Sequence, residues 1–166
     1  MNRRLLLSLA LLVTLPSSTY AQGPQWGISI WGLSYHVDRS VDYNELNWGL
    51  GLYDARPEPW LGASGDNHLF FEVDALRNSN RGLALPISVG AEFRIAPLPA
   101  GCKLFVVTAL TAAYYQYPNR DTADIKVGPV PGVSIGCGRF KTNVDVVLRK
   151  SSEPLAALTA SLTIMF

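Results

Sequence analysis

Residues 26–53 read WGISIWGLSYHVDRSVDYNELNWGLGLY and predict a β-hairpin. In the return strand, large apolar residues alternate with small or polar ones: Leu46, Trp48, Leu50 and Leu52 against Asn47, Gly49, Gly51 and Tyr53. Because successive strand side chains point to opposite faces, one face is apolar and aromatic while the other is small or polar. This pattern is typical of a strand with lipid on one side and a tight barrel lumen on the other.

The same two-residue period recurs along the chain. It predicts eight strands, at 26–36, 43–53, 67–77, 83–95, 102–115, 125–138, 139–148 and 155–166. Eight strands of bilayer-crossing length predict an all-β fold, an eight-stranded antiparallel transmembrane β-barrel, and the aromatic Phe166 resembles the terminal signature of outer-membrane barrels. A soluble secreted β-sandwich or lipocalin-like barrel is the alternative. Charged residues make up 16% of the chain, a small fraction for the surface of a soluble protein.

The first 21 residues predict an export signal. Arg3 and Arg4 precede an apolar run at 5–15, and small or hydroxyl side chains lead to Ala21. This order is typical of a cleaved secretory signal, and the run is too short for a membrane anchor. We therefore expect a signal peptide at 1–21, a barrel domain at 22–166, and a location in the outer membrane of a Gram-negative bacterium. The net charge of +1 gives no reason to expect a nucleic-acid partner, and we expect a monomer.

Cys102 and Cys137 are predicted to form a disulfide. With the N-terminus in the periplasm, turns near 37–42, 78–82, 116–124 and 149–154 lie outside, and those near 54–66 and 96–101 lie inside. Cys102 then begins the fifth strand and Cys137 ends the sixth at the same end of the barrel, which brings the thiols together. Two cysteines and two histidines offer few ligands for zinc, so we expect no metal and no other cofactor.

The same topology places His36 and Ser79 on the outer rim. His36 ends the first strand and is predicted to face the lumen with Ser34. An imidazole within reach of a hydroxyl is the minimum for acyl transfer, because the base takes the proton while an oxygen attacks an ester. Asn78, Glu45 and Asp38 are candidates for the group that orients the base. The alternative is a rim histidine and a turn sequence that form only a solvated loop.

Charged residues are also predicted inside the barrel. We expect Glu92, Arg94 and Lys141 in the inner half, where they can neutralise one another as a polar floor. Glu72 and Asp145 lie nearer the middle. A closed charge network would plug the lumen, whereas a pocket above the floor would suit one acyl chain.

Pro129 and Pro131 interrupt the sixth strand, and each removes a backbone donor. A barrel weakened there could admit an acyl chain sideways from the membrane. The alternative is that the prolines only end strand pairing near a turn.

Three segments carry a family resemblance: residues 43–51 (YNELNWGLG), 75–79 (ALRNS) and 129–136 (PVPGVSIG). They resemble three features of the lipid A palmitoyltransferase (PagP) family of eight-stranded outer-membrane enzymes. In order, these are a Tyr-Asn-Glu turn before a Trp- and Gly-rich strand, the segment leading to an Asp-Ser pair, and a sixth strand interrupted by prolines. The resemblance implies transfer of a palmitoyl chain from a phospholipid to lipid A in the outer leaflet. Those two lipids are the implied partners.

The resemblance also implies a site built from a rim histidine and an Asp-Ser pair. Ser79 matches the serine, and Asn78 stands where the aspartate would be. Gly32 follows Trp31 where the family has its histidine, so His36 is the nearest candidate. The predicted catalytic residues are therefore His36, Asn78 and Ser79.

Two functions from different classes remain open. One is a lipid-modifying enzyme, and the other is a non-enzymatic small barrel with a structural or adhesion role. A cavity that opens near His36 and Ser79 favours the enzyme, and a filled lumen favours the second function.

Overall fold

The chain forms a closed barrel of eight antiparallel strands, which confirms the predicted fold class. The computed structural model describes residues 24–37, 40, 42–62, 65–118, 122–148 and 155–166. The strands are β1 (Gln25–His36), β2 (Gly49–Pro57), β3 (His68–Arg77), β4 (Leu83–Pro97), β5 (Lys103–Gln116), β6 (Ala123–Cys137), β7 (Phe140–Leu148) and β8 (Leu155–Met165). Each pairs with its neighbour in sequence, and β8 pairs with β1 to close the barrel. The predicted signal peptide at 1–21 lies outside the described residues.

The outside of the barrel is apolar and the inside is polar. On β2 the side chains of Leu50 and Leu52 are 61% and 66% exposed. Tyr53, the next residue, faces the lumen and is 2% exposed. Buried side chains across the sheet include many serines, threonines, asparagines and acids. This polarity is the reverse of that in the soluble alternative and is what a lipid-facing barrel requires. Within the described ranges no helix is long and apolar enough to cross a membrane.

Leu50 faces the lipid from β2 and pairs with Ile30, near the middle of β1. Leu50→Arg is expected to lower the free energy of unfolding by about 2–4 kcal/mol, because an arginine near the bilayer midplane must be desolvated. The matched substitution is Val37→Arg, which lies just beyond the outer end of β1 and is already exposed. It should cost about 0–1 kcal/mol. Urea unfolding in lipid vesicles measures both, and equal losses would contradict a membrane-embedded β2.

The second strand begins later than predicted. Alternation predicts a strand from Tyr43, but β2 begins at Gly49, where its ladder with β1 also ends. Residues 42–48 still belong to the wall, since the carbonyl of Glu45 accepts the backbone N–H of Ser34 at 2.9 Å. Side chains in residues 42–48 still alternate, but isolated hydrogen bonds replace a regular ladder with β1.

A bulge in β1 lies at the level where the ladder with β2 ends. The pairing of β1 with β8 gains one residue between Trp31 and Leu33, at Gly32. An extra residue reverses which face the following side chains occupy. Ser34 and His36 are consequently buried in the lumen, whereas uninterrupted alternation would turn them to the lipid.

The inner end of the lumen is closed by a buried ion pair. Lys141 Nζ donates a hydrogen bond to Glu92, and both side chains are 1% exposed. Lys141 Nζ also donates to Tyr53 Oη at 2.7 Å and lies 4.0 Å from the centre of that ring. Phe70 and Phe105 pack beside them in the buried apolar cluster. The predicted polar floor is therefore present.

Arg94 does not belong to this floor. Its guanidinium instead pairs with Asp66 at 2.8 Å, and Lys103 pairs with the same carboxylate at 2.5 Å. The pairing of β4 with β5 shifts between Arg94 and Ala96, and the connection after β2 folds back at the inner edge. That geometry carries Arg94 to the rim of the inner end, where it is 36% exposed.

The predicted disulfide joins Cys102 and Cys137, whose Cα atoms are 4.3 Å apart. Cys102 directly precedes β5 and Cys137 ends β6, so the bridge lies at the inner end as the topology predicts. Closing a loop across a sequence separation of 35 residues restricts the unfolded chain and contributes about 4 kcal/mol by chain entropy.

Candidate functional site

A cavity of about 830 Å³ extends from the floor to the outer rim of the barrel. Its lining includes Lys141 and Glu92 at the floor, His36 and Ser79 near the rim, and exposed Lys126 at the rim itself. Ligand pockets in proteins span about 300–1,000 Å³, so this volume is enough for one small molecule or acyl chain. The lumen is therefore open above its floor and is not filled by side chains.

His36 lies in this cavity wall in a defined position. Its ring stacks on Tyr43 with the centroids 4.3 Å apart and the planes inclined by 24°. Its Nε2 atom lies 3.3 Å from Ser34 Oγ, and its backbone N–H donates to a carboxylate oxygen of Glu45 at 3.4 Å. Stacking and hydrogen bonding together restrict rotation of the imidazole, as a positioned general base requires.

Ser79 connects to His36 through two other side chains. Asn47 donates to Ser34 Oγ at 2.8 Å and to Ser79 Oγ at 3.4 Å, and Ser34 in turn contacts His36. The backbone carbonyl of Ser79 also accepts the N–H of Asn44 at 2.8 Å, which ties the turn after β3 to the segment before β2. The structure thus places both predicted residues on one polar network at one end of the barrel.

Asn78 is occupied by backbone contacts. Its amide nitrogen donates to the carbonyls of Leu83 at 3.0 Å and Gln116 at 2.8 Å. Its amide oxygen accepts the N–H groups of Asn80 at 2.9 Å and Gly82 at 3.0 Å. The side chain is fully buried and does not line the cavity among the residues described. Asn78 holds the turn that carries Ser79, and its predicted catalytic role stays a prediction.

The groups proposed to orient His36 have different positions. Glu45 contacts the backbone of His36, as described above, and Asp38 lies outside the described residues. Sequence reasoning placed Ser34 beside His36 but did not identify Asn47 or Tyr43 as contributors. Asn47 was detectable, because alternation in residues 46–53 turns it inward at the level of the rim. The Tyr43 stack depends on the path of an irregular segment and had no comparable signal.

The ladder between β6 and β7 stops short of the outer end of the barrel. Pairing of these strands runs from Cys137 opposite Phe140 to Gly132 opposite Asp145 and extends no further in the described residues. Yet β6 itself continues to Ala123 and stays paired with β5. Beyond Gly132 the described residues of β6 and β7 are therefore unpaired with each other; we call this unpaired stretch, which adjoins the cavity, the gap.

The prolines of β6 explain the gap. Pro129 and Pro131 are two residues apart, so their nitrogen atoms point to the same neighbouring strand. The ladder with β5 is continuous at both positions, whereas the ladder with β7 is absent, which assigns the missing donors to the β7 side. Val130 and Val147 line the cavity from the two edges of the gap.

The deeper cavity wall carries three acids, Glu72 and Asp74 on β3 and Asp145 on β7. Ser29 Oγ donates a hydrogen bond to Glu72. Within the described chain no group of three or more histidine, cysteine or acidic side chains converges as a metal site would require.

Comparisons with known proteins leave the family open. No family model matches the chain, and no curated protein matches it. Among solved structures, the chain is similar to the crystal structure of Ail, the attachment invasion locus protein of Yersinia pestis, with a TM-score of 0.45 and 14% identity. That match covers 87% of this chain and 99% of the Ail chain. At this level the similarity says nothing about function.

Proposed function

We propose that the protein is an outer-membrane enzyme that transfers an acyl chain, palmitoyl by the family resemblance, from a phospholipid to lipid A in the outer leaflet. The observation that carries the proposal is the position of one cavity. It reaches the rim beside His36 and Ser79, and it adjoins the gap between β6 and β7. A lipid in the outer leaflet would reach the rim network through that gap without leaving the membrane.

The residues support a direct transfer. The imidazole of His36 takes the proton of the acceptor hydroxyl, whose oxygen forms the new ester bond to the acyl carbon. The ester bond of the donor breaks, and the proton passes from the imidazole to the departing oxygen. Asn47 and Ser79 line the same wall and offer hydrogen-bond donors to the carbonyl oxygen as charge develops on it.

Mass spectrometry of lipid A tests this function. Gram-negative cells that express the protein should carry lipid A with one added acyl chain, and cells without it should not. Ser134→Ala is the control for a substitution outside the site, and it should leave the added acyl chain unchanged. Ser134 is buried on β6 but is not among the described residues that line the cavity. An unchanged acyl pattern under strong expression would instead favour a non-enzymatic barrel with a structural or adhesion role. Recovery of soluble protein without detergent would contradict both.

The gap has its own test. Pro129→Val together with Pro131→Val restores two backbone donors on the β7 side of β6. We expect unfolding to become harder by about 1 kcal/mol for each regained hydrogen bond, and we expect acyl transfer to fall as the wall closes. Pro57→Val, at the inner end of β2, is the control and should leave transfer unchanged. Greater stability with full transfer would refute lipid entry through this gap.

A further inference from the structure

The outer half of β6 borders the cavity in a way that its partner strand does not. On β5 only alternate residues in 107–115 line the cavity, as expected for a strand that presents one face to the lumen. On β6 every residue from 125 to 130 lines it. Ile125 and Val127 are among these, although they are 77% and 65% exposed. The cavity therefore touches the edge of β6 along the gap as well as its lumen face.

Lys126 is the charged residue within this stretch of β6. It alternates with the exposed Ile125 and Val127, so it belongs to the lumen face. Its Nζ atom lies 4.5 Å from the centre of the Tyr115 ring and 5.4 Å from the centre of the Tyr117 ring. Two aromatic rings hold an ammonium group by cation–π attraction and leave its N–H donors for a ligand. The positive charge is thus held where the cavity meets the gap.

No carboxylate within the described part of the chain forms an ion pair with Lys126. The ion pairs there are made by other side chains. Lys141, the other lysine that lines the cavity, donates to Glu92 and Tyr53 at the floor. No arginine is among the described residues that line the cavity. Lys126 is therefore the cation that this cavity presents to an anionic ligand at its outer end.

Tyr115 connects Lys126 to the candidate site. Its side chain forms a hydrogen bond with Ser79, and its ring carries the ammonium group of Lys126. One tyrosine thus separates the cation from the network of Ser79, Asn47 and His36. In a glycerophospholipid the phosphate and the acyl esters are attached to one three-carbon glycerol, so they too lie a few bonds apart. A phosphate at Lys126 would bring an ester of the same lipid to that network.

The surroundings of Lys126 favour an amphiphile over a soluble anion. An ammonium group with three donors is a common ligand for phosphate oxygens. The rings of Tyr115 and Tyr117 and the exposed side chains of Ile125 and Val127 border the same part of the cavity. A ligand that satisfies both must carry apolar chains next to its anionic group. A phospholipid has this combination, and inorganic phosphate does not.

We propose that Lys126 is a specificity-determining residue that binds the phosphodiester of the donor phospholipid. The inference rests on the proposed function for the identity of the donor, but the binding itself requires no transfer. Lys126 holds the lipid by its headgroup, and none of the bonds that form or break in the reaction involves its ammonium group. Its charge makes the cavity prefer a lipid with a phosphate over an otherwise identical neutral one.

Calorimetric titration of the full-length barrel in neutral detergent tests this role. The probe is a dihexyl ether analogue of phosphatidylglycerol, whose chains cannot be transferred, and the dihexyl ether of glycerol is its neutral match. Lys126→Met is expected to weaken binding of the probe by about tenfold or more, because a charge-assisted hydrogen bond is lost. Binding of the neutral match should not change. Lys126→Arg should keep probe binding within about threefold of the unaltered protein, since arginine also binds phosphate.

Arg81→Met is the charge-matched control. Arg81 is exposed, pairs with Asp42, and is not among the described residues that line the cavity. This variant should bind the probe like the unaltered protein, and thermal unfolding checks that each variant is folded. Equal binding of probe and neutral match by the unaltered protein, full probe binding by Lys126→Met, or an equal loss in Arg81→Met would each overturn the proposal.

This outcome is separate from that of the lipid A experiment. Probe binding that depends on Lys126, together with an unchanged lipid A, would support the phosphate site and contradict acyl transfer. An added acyl chain on lipid A, together with full probe binding by Lys126→Met, would support transfer and contradict the role of Lys126.

Discussion

His36→Ala is expected to lower acyl transfer to lipid A by about 10²- to 10⁴-fold, the usual contribution of a positioned general base. The reason is local. The imidazole lies in the cavity wall, stacked on Tyr43 and 3.3 Å from Ser34 Oγ. No other histidine is near the rim, since His68 begins β3 at the inner end. The measurement is the rate of acyl transfer by purified protein in mixed micelles, followed by mass spectrometry.

His36→Gln separates the basic role of the imidazole from its structural role. Glutamine can still hydrogen-bond Ser34 and support the rim network, but it cannot accept a proton at neutral pH. It should therefore be as inactive as alanine while the barrel keeps the unfolding transition of the unaltered protein. Full activity in either variant would remove His36 from the mechanism and leave the cavity and the gap in place.

Much of the barrel was predictable because the membrane imposes a simple rule. Lipid outside and a polar lumen inside force alternation, so strand count, strand direction and the pairing of Cys102 with Cys137 followed from the sequence. The exposed Leu50 and buried Tyr53 are the direct outcome. Position along the chain was harder, because β2 begins at Gly49 rather than at Tyr43.

The site was predictable only in part, and the bulge at Gly32 is the reason. Sequence reasoning placed His36 in the lumen, and it lies there because one extra residue in β1 reverses the alternation after Trp31. A glycine within a strand is a recognised mark of such a bulge. Gly32 stands where the resembled family has its histidine. Gly32 is thus also the bulge residue that turns His36 inward.

Contacts that depend on irregular segments could not be predicted from a two-residue period. Arg94 was expected at the floor, but a second register shift carries it to Asp66. The catalytic role of Asn78 stays a prediction, but the four backbone groups around its amide could not be predicted. Asp66, Asn80 and Gly82 lie in connections between strands, and Leu83 and Gln116 lie at strand ends, where alternation does not predict contacts.

Lys141→Met is expected to lower the free energy of unfolding by about 3–5 kcal/mol, the range for breaking a buried ion pair by removing one partner. Lys141 is 1% exposed, donates to both Glu92 and Tyr53, and lies over the Tyr53 ring. Methionine fills much of the same volume, so packing changes little, but the Glu92 carboxylate remains buried without its cation. Urea unfolding of the folded barrel in vesicles measures the loss.

The double variant Lys141→Met with Glu92→Gln decides the cause. Removing both charges also removes the unpaired carboxylate, so most of the lost stability should return. Arg56→Met is the control, because Arg56 pairs with Asp54 on an exposed part of β2, and such surface pairs contribute about 0–1 kcal/mol. A double variant as unstable as the single one would mean that Lys141 acts through its packing against Tyr53 and Phe70 rather than through its charge. The floor would then be stabilised mainly by the apolar packing of Tyr53, Phe70 and Phe105.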